Sequence, residues 1–142
     1  MKYTVVYFTR SGRSQRVAEK IAKALDCGPV QITDDMDWAG LRGFFRAGRY
    51  SGQNLPVEIQ VHGDLSAADE YIVIAPLWAG GVAPAIREFL KTVPNDKVHL
   101  VVTSIGSKLR DRDGYKSLHD IQGIIMNEAR VINGLVDKLK SS

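Results

Sequence analysis

The stretch Val5-Val6-Tyr7-Phe8-Thr9-Arg10-Ser11-Gly12-Arg13-Ser14 runs from an apolar, β-branched and aromatic segment straight into a turn of hydroxyls around a glycine. Beyond it, Val17, Ile21, Ala24 and Leu25 recur at helical spacing, so the order is strand, turn, helix. The free N–H groups at the start of a helix, together with its macrodipole, favour an anion. Thr9, Ser11 and Ser14 each carry a hydroxyl able to donate a further hydrogen bond, and Gly12 permits a sharp turn and a close approach to a ligand. The same residues equally suit a plain N-cap by Ser11 or Ser14. Residue chemistry leaves both readings open. The spacings of a P-loop and of a dinucleotide fingerprint are absent.

Outward from this turn, residues 71–75 and 98–103 repeat the apolar, β-branched character of residues 3–8, and a weaker run, 30–33, follows the breaker pair Gly28-Pro29. None alternates strictly with polar residues, as expected of strands covered on both faces in a parallel sheet. Helical patterns lie between them. Ile86, Phe89, Leu90 and Val93 follow Pro84, which suits a first helical turn. Ile125, Ala129, Ile132, Val136 and Leu139 predict a long closing helix. Trp38, Leu41, Phe44 and Phe45 form another apolar stripe, expected to be a short helix with Trp38 in the core. Residues 48–64 are glycine-rich and predict irregular structure. A fifth strand is expected around residues 115–121, although the connection before it looks short for a parallel crossover. The alternation implies an α/β fold, a doubly wound parallel sheet of four to five strands with helices on both faces, in one domain over residues 1–142.

The bulk properties fit that class. The chain has 142 residues, 44% of them hydrophobic and 25% charged, ordinary for one globular domain. Its 19 Lys and Arg against 16 Asp and Glu leave a net charge of +3, with a pI near 9.1. That excess is small and scattered, and no nucleic-acid reader motif accompanies it, so no nucleic-acid partner is expected. No apolar run approaches the length needed to span a bilayer, and no membrane partner is expected. The single Cys27 is read as structural and suits a reducing compartment, so a cytoplasmic location is expected, as monomer or homodimer. His62, His99 and His119 are far apart in sequence and form no metal-ligand spacing. Asp34-Asp35 follows the second strand, where a phospho-receiver domain would need its acidic pair after the first. A nucleophile elbow is missing.

The turn at residues 9–14 resembles the flavodoxin signature, a strand ending in a [ST]-x-[ST]-G-x-[ST] loop around an FMN phosphate, with Thr9, Ser11, Gly12 and Ser14 on its pattern positions. Ile72-Val73-Ile74-Ala75-Pro76-Leu77-Trp78-Ala79-Gly80-Gly81 is similar to the third strand and first flavin loop of that family. Val101-Val102-Thr103-Ser104-Ile105-Gly106-Ser107 is similar to its fourth strand and second flavin loop. The resemblance implies one FMN, held by Thr9, Arg10, Ser11, Gly12, Arg13 and Ser14 at the phosphate, by Pro76, Leu77, Trp78, Ala79 and Gly80 beside the ring, and by Thr103, Ser104, Ile105, Gly106 and Ser107 at its pyrimidine edge. It implies electron transfer through that flavin, as a carrier or as a small NAD(P)H-linked oxidoreductase of quinones or flavins, with a redox protein or NAD(P)H as partner and no catalytic acid, base or nucleophile. The alternative is a domain of the same fold that lacks FMN and serves as a binding or regulatory module.

Several details depart from the pattern or go beyond it. Arg10 and Arg13 stand where the family usually has no charge; they either point to solvent or bond the phosphate. Trp78 is the candidate to stack on the ring, with Tyr115 a positional candidate for its other face. Lys108, Arg110 and Arg112, if they face the ring, would favour a reduced, anionic flavin. Arg42, Arg46 and Arg49 form a basic stripe, suited to an acidic partner or the extra phosphate of NADPH, or simply to solvent.

Overall fold

The structure, a computed structural model, describes residues 1–53, 55–78, 80–104, 109–110, 112–123 and 127–141. Its centre is a seven-stranded sheet in the order β3-β2-β1-β4-β6-β7, with β5 paired to β4. The strands are β1 (Tyr3–Tyr7), β2 (Pro29–Asp34), β3 (Ile59–His62), β4 (Glu70–Trp78), β5 (Gly81–Val82), β6 (Val98–Ser104) and β7 (Ser117–Gln122). β2, β1, β4, β6 and β7 are mutually parallel, while β3 and β5 are antiparallel additions. The helices are α1 (Arg13–Ala24), α2 (Gly40–Gly52), α3 (Pro84–Leu90) and α4 (Glu128–Lys140), and a 3-10 turn, Asn95–Lys97, precedes β6. This is a flavodoxin-like, doubly wound α/β fold.

The missing alternation has a direct structural cause. Val5 and Tyr7 of β1, with Ile72 and Ile74 of β4, face α1 and α4 and meet Val17, Ile21, Ile132 and Leu135. Their neighbours Val6, Phe8, Val73 and Ala75 point the other way and meet Ala85, Ile86 and Phe89 around α3. Successive side chains of a strand leave by opposite faces, and here both faces are dry. Each fully buried side chain of this size, such as Phe89 or Ile21, stabilises the fold by about 1.5–3 kcal/mol relative to exposure.

The fifth parallel strand exists as β7, shifted to Ser117–Gln122. The crossover is long enough because β6 ends at Ser104, leaving residues 105–116 to make it. Four expectations need correction. The irregular stretch 48–64 contains the end of α2 and the edge strand β3. β4 continues to Trp78, so Pro76, Leu77 and Trp78 are strand, not loop, and Trp78 pairs with Gly81 across a hairpin. In α4, Ala129 is exposed and Leu135 joins Ile132, Val136 and Leu139 in the buried stripe; Ile125 lies outside the described residues. Trp38 is buried as expected, but Leu41, Phe44 and Phe45 of α2 are exposed. The inward face of α2 carries small residues instead. Ala47 is buried, and a methyl added at Gly43 would run into the Trp38 carbonyl group.

At the amino ends of β4, β6 and β7 a chain of polar groups crosses the sheet. Buried His99 bonds the Glu70 carboxylate through Nε2 at 2.6 Å and Ser117 Oγ through Nδ1 at 2.6 Å. Ser117 Oγ also lies 2.9 Å from His119 Nε2. Burial, and then the charges of Lys138 and His99, hold the His119 imidazole below its usual pKa. Two histidines distant in sequence are thus joined, at the end of the sheet opposite the turn. Among the described residues no group of three His, Cys, Asp or Glu side chains is placed to hold a metal, and no helix is long and apolar enough to cross a membrane.

Candidate functional site

The sheet order reverses direction between β1 and β4, because the chain leaves β1 toward β2 on one side and later fills the other. In an open α/β sheet, ligands bind outside the carboxyl ends of the strands at that switch point. The turn after β1 and the end of β4 both lie there.

Within the turn, Gly12 is the N-cap of α1 with φ 95°, a left-handed conformation that favours glycine, and no side chain caps the helix. Ser11 is exposed and Ser14 sits inside the helix, so neither is the plain N-cap that the sequence left open. Thr9 Oγ1 accepts a hydrogen bond from the Gly12 N–H at 2.8 Å, which folds the turn back on itself and keeps the hydroxyl proton for another acceptor. Ser14 Oγ is buried and lies 3.1 Å from Thr103 Oγ1. One of these two hydroxyls donates to the other, so one O–H of the pair remains to donate elsewhere. That bond also ties the start of α1 to β6.

Both arginines reach main-chain carbonyls, and Arg10 is in addition exposed to solvent, one of the two alternatives the sequence offers. Arg10 donates from Nε to the Trp38 carbonyl at 2.7 Å and from Nη2 to the Gly40 carbonyl at 3.2 Å, fastening the segment that leads into α2. Arg13 donates from Nη1 to the Ser104 carbonyl at 2.9 Å and from Nη2 to the Ile121 carbonyl at 3.2 Å, bridging the carboxyl ends of β6 and β7. Burial pulls the Arg13 guanidinium pKa below its usual value, with Glu128 partly opposing that. Its Nε is buried with no hydrogen-bond partner among the described residues. Both side chains are structural braces at the mouth of the site.

Trp78 is partly exposed and belongs to an aromatic cluster. It meets Phe8 edge-on at 5.7 Å between ring centroids and Trp38 at 5.1 Å, and Trp38 in turn meets Tyr50 at 5.5 Å. Trp38 Nε1 donates to both carboxylate oxygens of Asp34, at 3.0 and 2.8 Å. Burial raises the Asp34 carboxyl pKa, and this hydrogen bond partly offsets the shift. Beside Trp78 a cleft of about 560 Å³ opens between the end of β4 and α2, lined by Arg10, Leu77, Trp78, Phe44, Phe45, Ala47, Gly48 and Arg49. The sequence carries no signal for the aromatic wall supplied by α2. An apolar helical stripe normally signals core, and nothing in the spacing says that it faces out.

Gly80 has φ +81°, and an added Cβ would stand 2.7 Å from Arg110 Nε. Its carbonyl accepts from the Arg110 N–H at 2.9 Å, so the Arg110 segment closes over the hairpin. Arg112 is ion-paired with Asp120 through two contacts, 3.1 and 2.5 Å, which removes much of its field from the site. Tyr115 packs on the apolar core beside β6 and β7. Arg46 donates to the Asp37 carbonyl, while Arg42 and Arg49 are exposed. Ala79, Ile105, Gly106, Ser107 and Lys108 lie outside the described residues. Pro76 pairs with Thr103, placing the ends of β4 and β6 side by side.

No protein-family model matches the chain, and no curated protein is significantly similar to it in sequence. Solved structures of the same fold are known. A candidate flavoprotein from Bacteroides uniformis superposes with a TM-score of 0.73 at 17% identity, over 94% of this chain and 97% of its own. One from Bacteroides eggerthii gives 0.66 at 21%, covering 96% of both chains. The flavoprotein of Lactobacillus acidophilus, determined in complex with FMN, gives 0.65 at 19%, over 92% of this chain and 97% of that one. At these identities the likeness establishes the fold: over nearly its whole length the chain is built as these flavoproteins are.

Proposed function

We propose that this chain is a flavodoxin-type flavoprotein that holds one FMN with its phosphate in the turn at residues 9–14 and passes electrons through it. The observation that carries this reading is the amino end of α1. It is left without a side-chain cap, with Gly12 in the left-handed region, at the switch point of the sheet. An uncapped helix start ringed by hydroxyls is satisfied by a phosphate. The fold shared with an FMN-bound flavoprotein supports the same assignment.

The N–H groups of the first turn of α1, with the Thr9 and Ser11 hydroxyls, would hold the phosphate. The flat ring would lie across the ends of β4 and β6, beside Trp78 and the Gly80 hairpin. When bound, the flavin supplies reversible one- and two-electron chemistry that no side chain here provides. The protein's own part is to bind, orient and tune. Arg13 fixes the spacing of the β6 and β7 ends, and Arg110 brings positive charge over Gly80. A redox protein or NAD(P)H is the expected electron partner.

The test is the purified full chain. It should be yellow, with close to one FMN per polypeptide, and should prefer FMN over riboflavin by roughly 100-fold. That figure corresponds to two charge-assisted phosphate bonds at about 1.5 kcal/mol each. A colourless protein with no affinity for FMN would overturn the proposal and favour the binding-module alternative. Anaerobic NADPH then separates reductase from carrier, because only the reductase bleaches the flavin rapidly.

A further inference from the structure

We infer that the cleft between α2 and the carboxyl end of β4 is a second binding site, for a planar aromatic anion. The helix is turned the wrong way for a purely structural element. Its inward face is Gly43 and Ala47, whereas Phe44 and Phe45 are 62% and 67% exposed. Helices in proteins are held mainly by the face they bury, and these two aromatic side chains bury little. They stand edge-to-face at 5.8 Å and wall the cleft together with Leu77 and Trp78. Its volume of about 560 Å³ falls in the range of small-molecule sites, and an aromatic lining with a few polar groups is their usual composition. Flat rings stack well on such walls.

Charge selects the class of ligand. Arg10 and Arg49 line the cleft and, among the described residues, no carboxylate does; α2 itself contains three arginines and no acidic residue. Arg10 is held in place by its two carbonyl contacts, so its positive charge is fixed at the rim. An anionic group attached to an aromatic ring matches both features. The cleft shares Arg10, Leu77 and Trp78 with the residues that would hold the flavin, so the inference rests in part on that reading, whereas Phe44, Phe45 and Arg49 belong to α2 and place the second ligand on the α2 side of Trp78.

Equilibrium dialysis of the purified full chain, its FMN content measured, against anthraquinone-2-sulfonate and the neutral 2-hydroxymethylanthraquinone tests this. The sulfonate should bind saturably and roughly tenfold more tightly than the neutral analogue. Phe44→Ala with Phe45→Ala should weaken both by roughly tenfold or more. Arg49→Gln should lower the preference for the sulfonate and leave the neutral ligand unchanged. FMN content should stay the same throughout. Because both phenylalanines are exposed, the fold should survive, and Phe44→Leu with Phe45→Leu gives a milder check. The inference is overturned by absent or non-saturable binding, by variants that bind like the parent, or by stoichiometric release of FMN, which would make the cleft the flavin's own seat. It is also overturned if the phenylalanines matter only for binding to anionic vesicles or to acidic proteins. A chain that lacks FMN yet shows the predicted dialysis pattern would sink the flavin assignment and leave this one standing.

Discussion

Replacing Arg13 by methionine separates a brace from a phosphate ligand. The guanidinium makes two bonds to main-chain carbonyls, Ser104 at 2.9 Å and Ile121 at 3.2 Å. Hydrogen bonds to a charged group contribute about 1.5–3 kcal/mol each, so the pair sets an upper range of about 3–6 kcal/mol. Against this stands the cost of burying the charge, the same burial that depresses the guanidinium pKa. Methionine also keeps much of the apolar stem. The net loss should be about 2–3 kcal/mol, a fall of roughly 6–12 °C in Tm for a chain of this length. Urea unfolding of the FMN-free protein measures it directly, and parallel titrations with FMN and riboflavin supply the second readout. A brace lowers stability and leaves the ratio of the two affinities within roughly threefold, since 3-fold is only about 0.65 kcal/mol. Unchanged stability together with a collapse of the FMN preference would show that Arg13 reaches the phosphate, and the reasoning would be wrong.

Gly43→Ala should destabilise the protein by about 1–3 kcal/mol, because the new methyl meets the Trp38 carbonyl and overpacking outweighs the gain of about 1 kcal/mol in helix propensity; a higher Tm would contradict the packing of α2. Gly80→Ala forces a left-handed residue to carry a Cβ and should cost about 1–2 kcal/mol, while Arg110 can swing aside; thermal melts with and without FMN would reveal an unstrained site if no loss appears. Glu128 is buried and bonds Arg16 and Lys20 at 2.8 Å each, and Arg16 first, then Lys20, holds its carboxyl pKa below the usual glutamate range against the effect of burial. Since the folded form binds this proton more weakly than the unfolded chain, the stabilisation is full above the ordinary glutamate pKa and fades as pH falls through the depressed one. Glu128→Gln should therefore flatten the acid limb of a stability-versus-pH curve below about pH 5 and cost about 1–2 kcal/mol at neutral pH, discounted for half-exposed partners; an acid limb identical to the parent's would count against it.

The strands at the centre of the sheet were legible because they are buried on both faces, which leaves a run of apolar residues with no alternation. β7 was nearly hidden, since an edge position permits Ser117, His119 and Asp120, and β3 was invisible for the same reason. The strand, turn and helix around residues 9–14 were readable from the order of apolar residues, hydroxyls and glycine, but the contacts of Arg10 and Arg13 were not. Their partners are main-chain carbonyls, which leave no mark on residue identity. The orientation of α2 was likewise unreadable. Apolar periodicity reports which residues share a face, and only the packing of Gly43 against Trp38 shows which face turns inward. His99 and Glu70 meet because β4 and β6 are neighbours, a fact of topology and not of spacing.

The polar chain Glu70–His99–Ser117–His119 fastens only one end of the sheet, and the other end is where the turn, the hairpin and the cleft lie. The two margins are bound differently: a chain of buried and half-buried side chains joins strand to strand at the first, whereas the open one is held by Arg10 and Arg13 reaching to main-chain carbonyls. Amide hydrogen exchange should be slowest near the starts of β4, β6 and β7 and fastest around residues 9–14 and 80–82. A ligand at the open margin can then enter and leave by local opening, at a rate set apart from that of global unfolding.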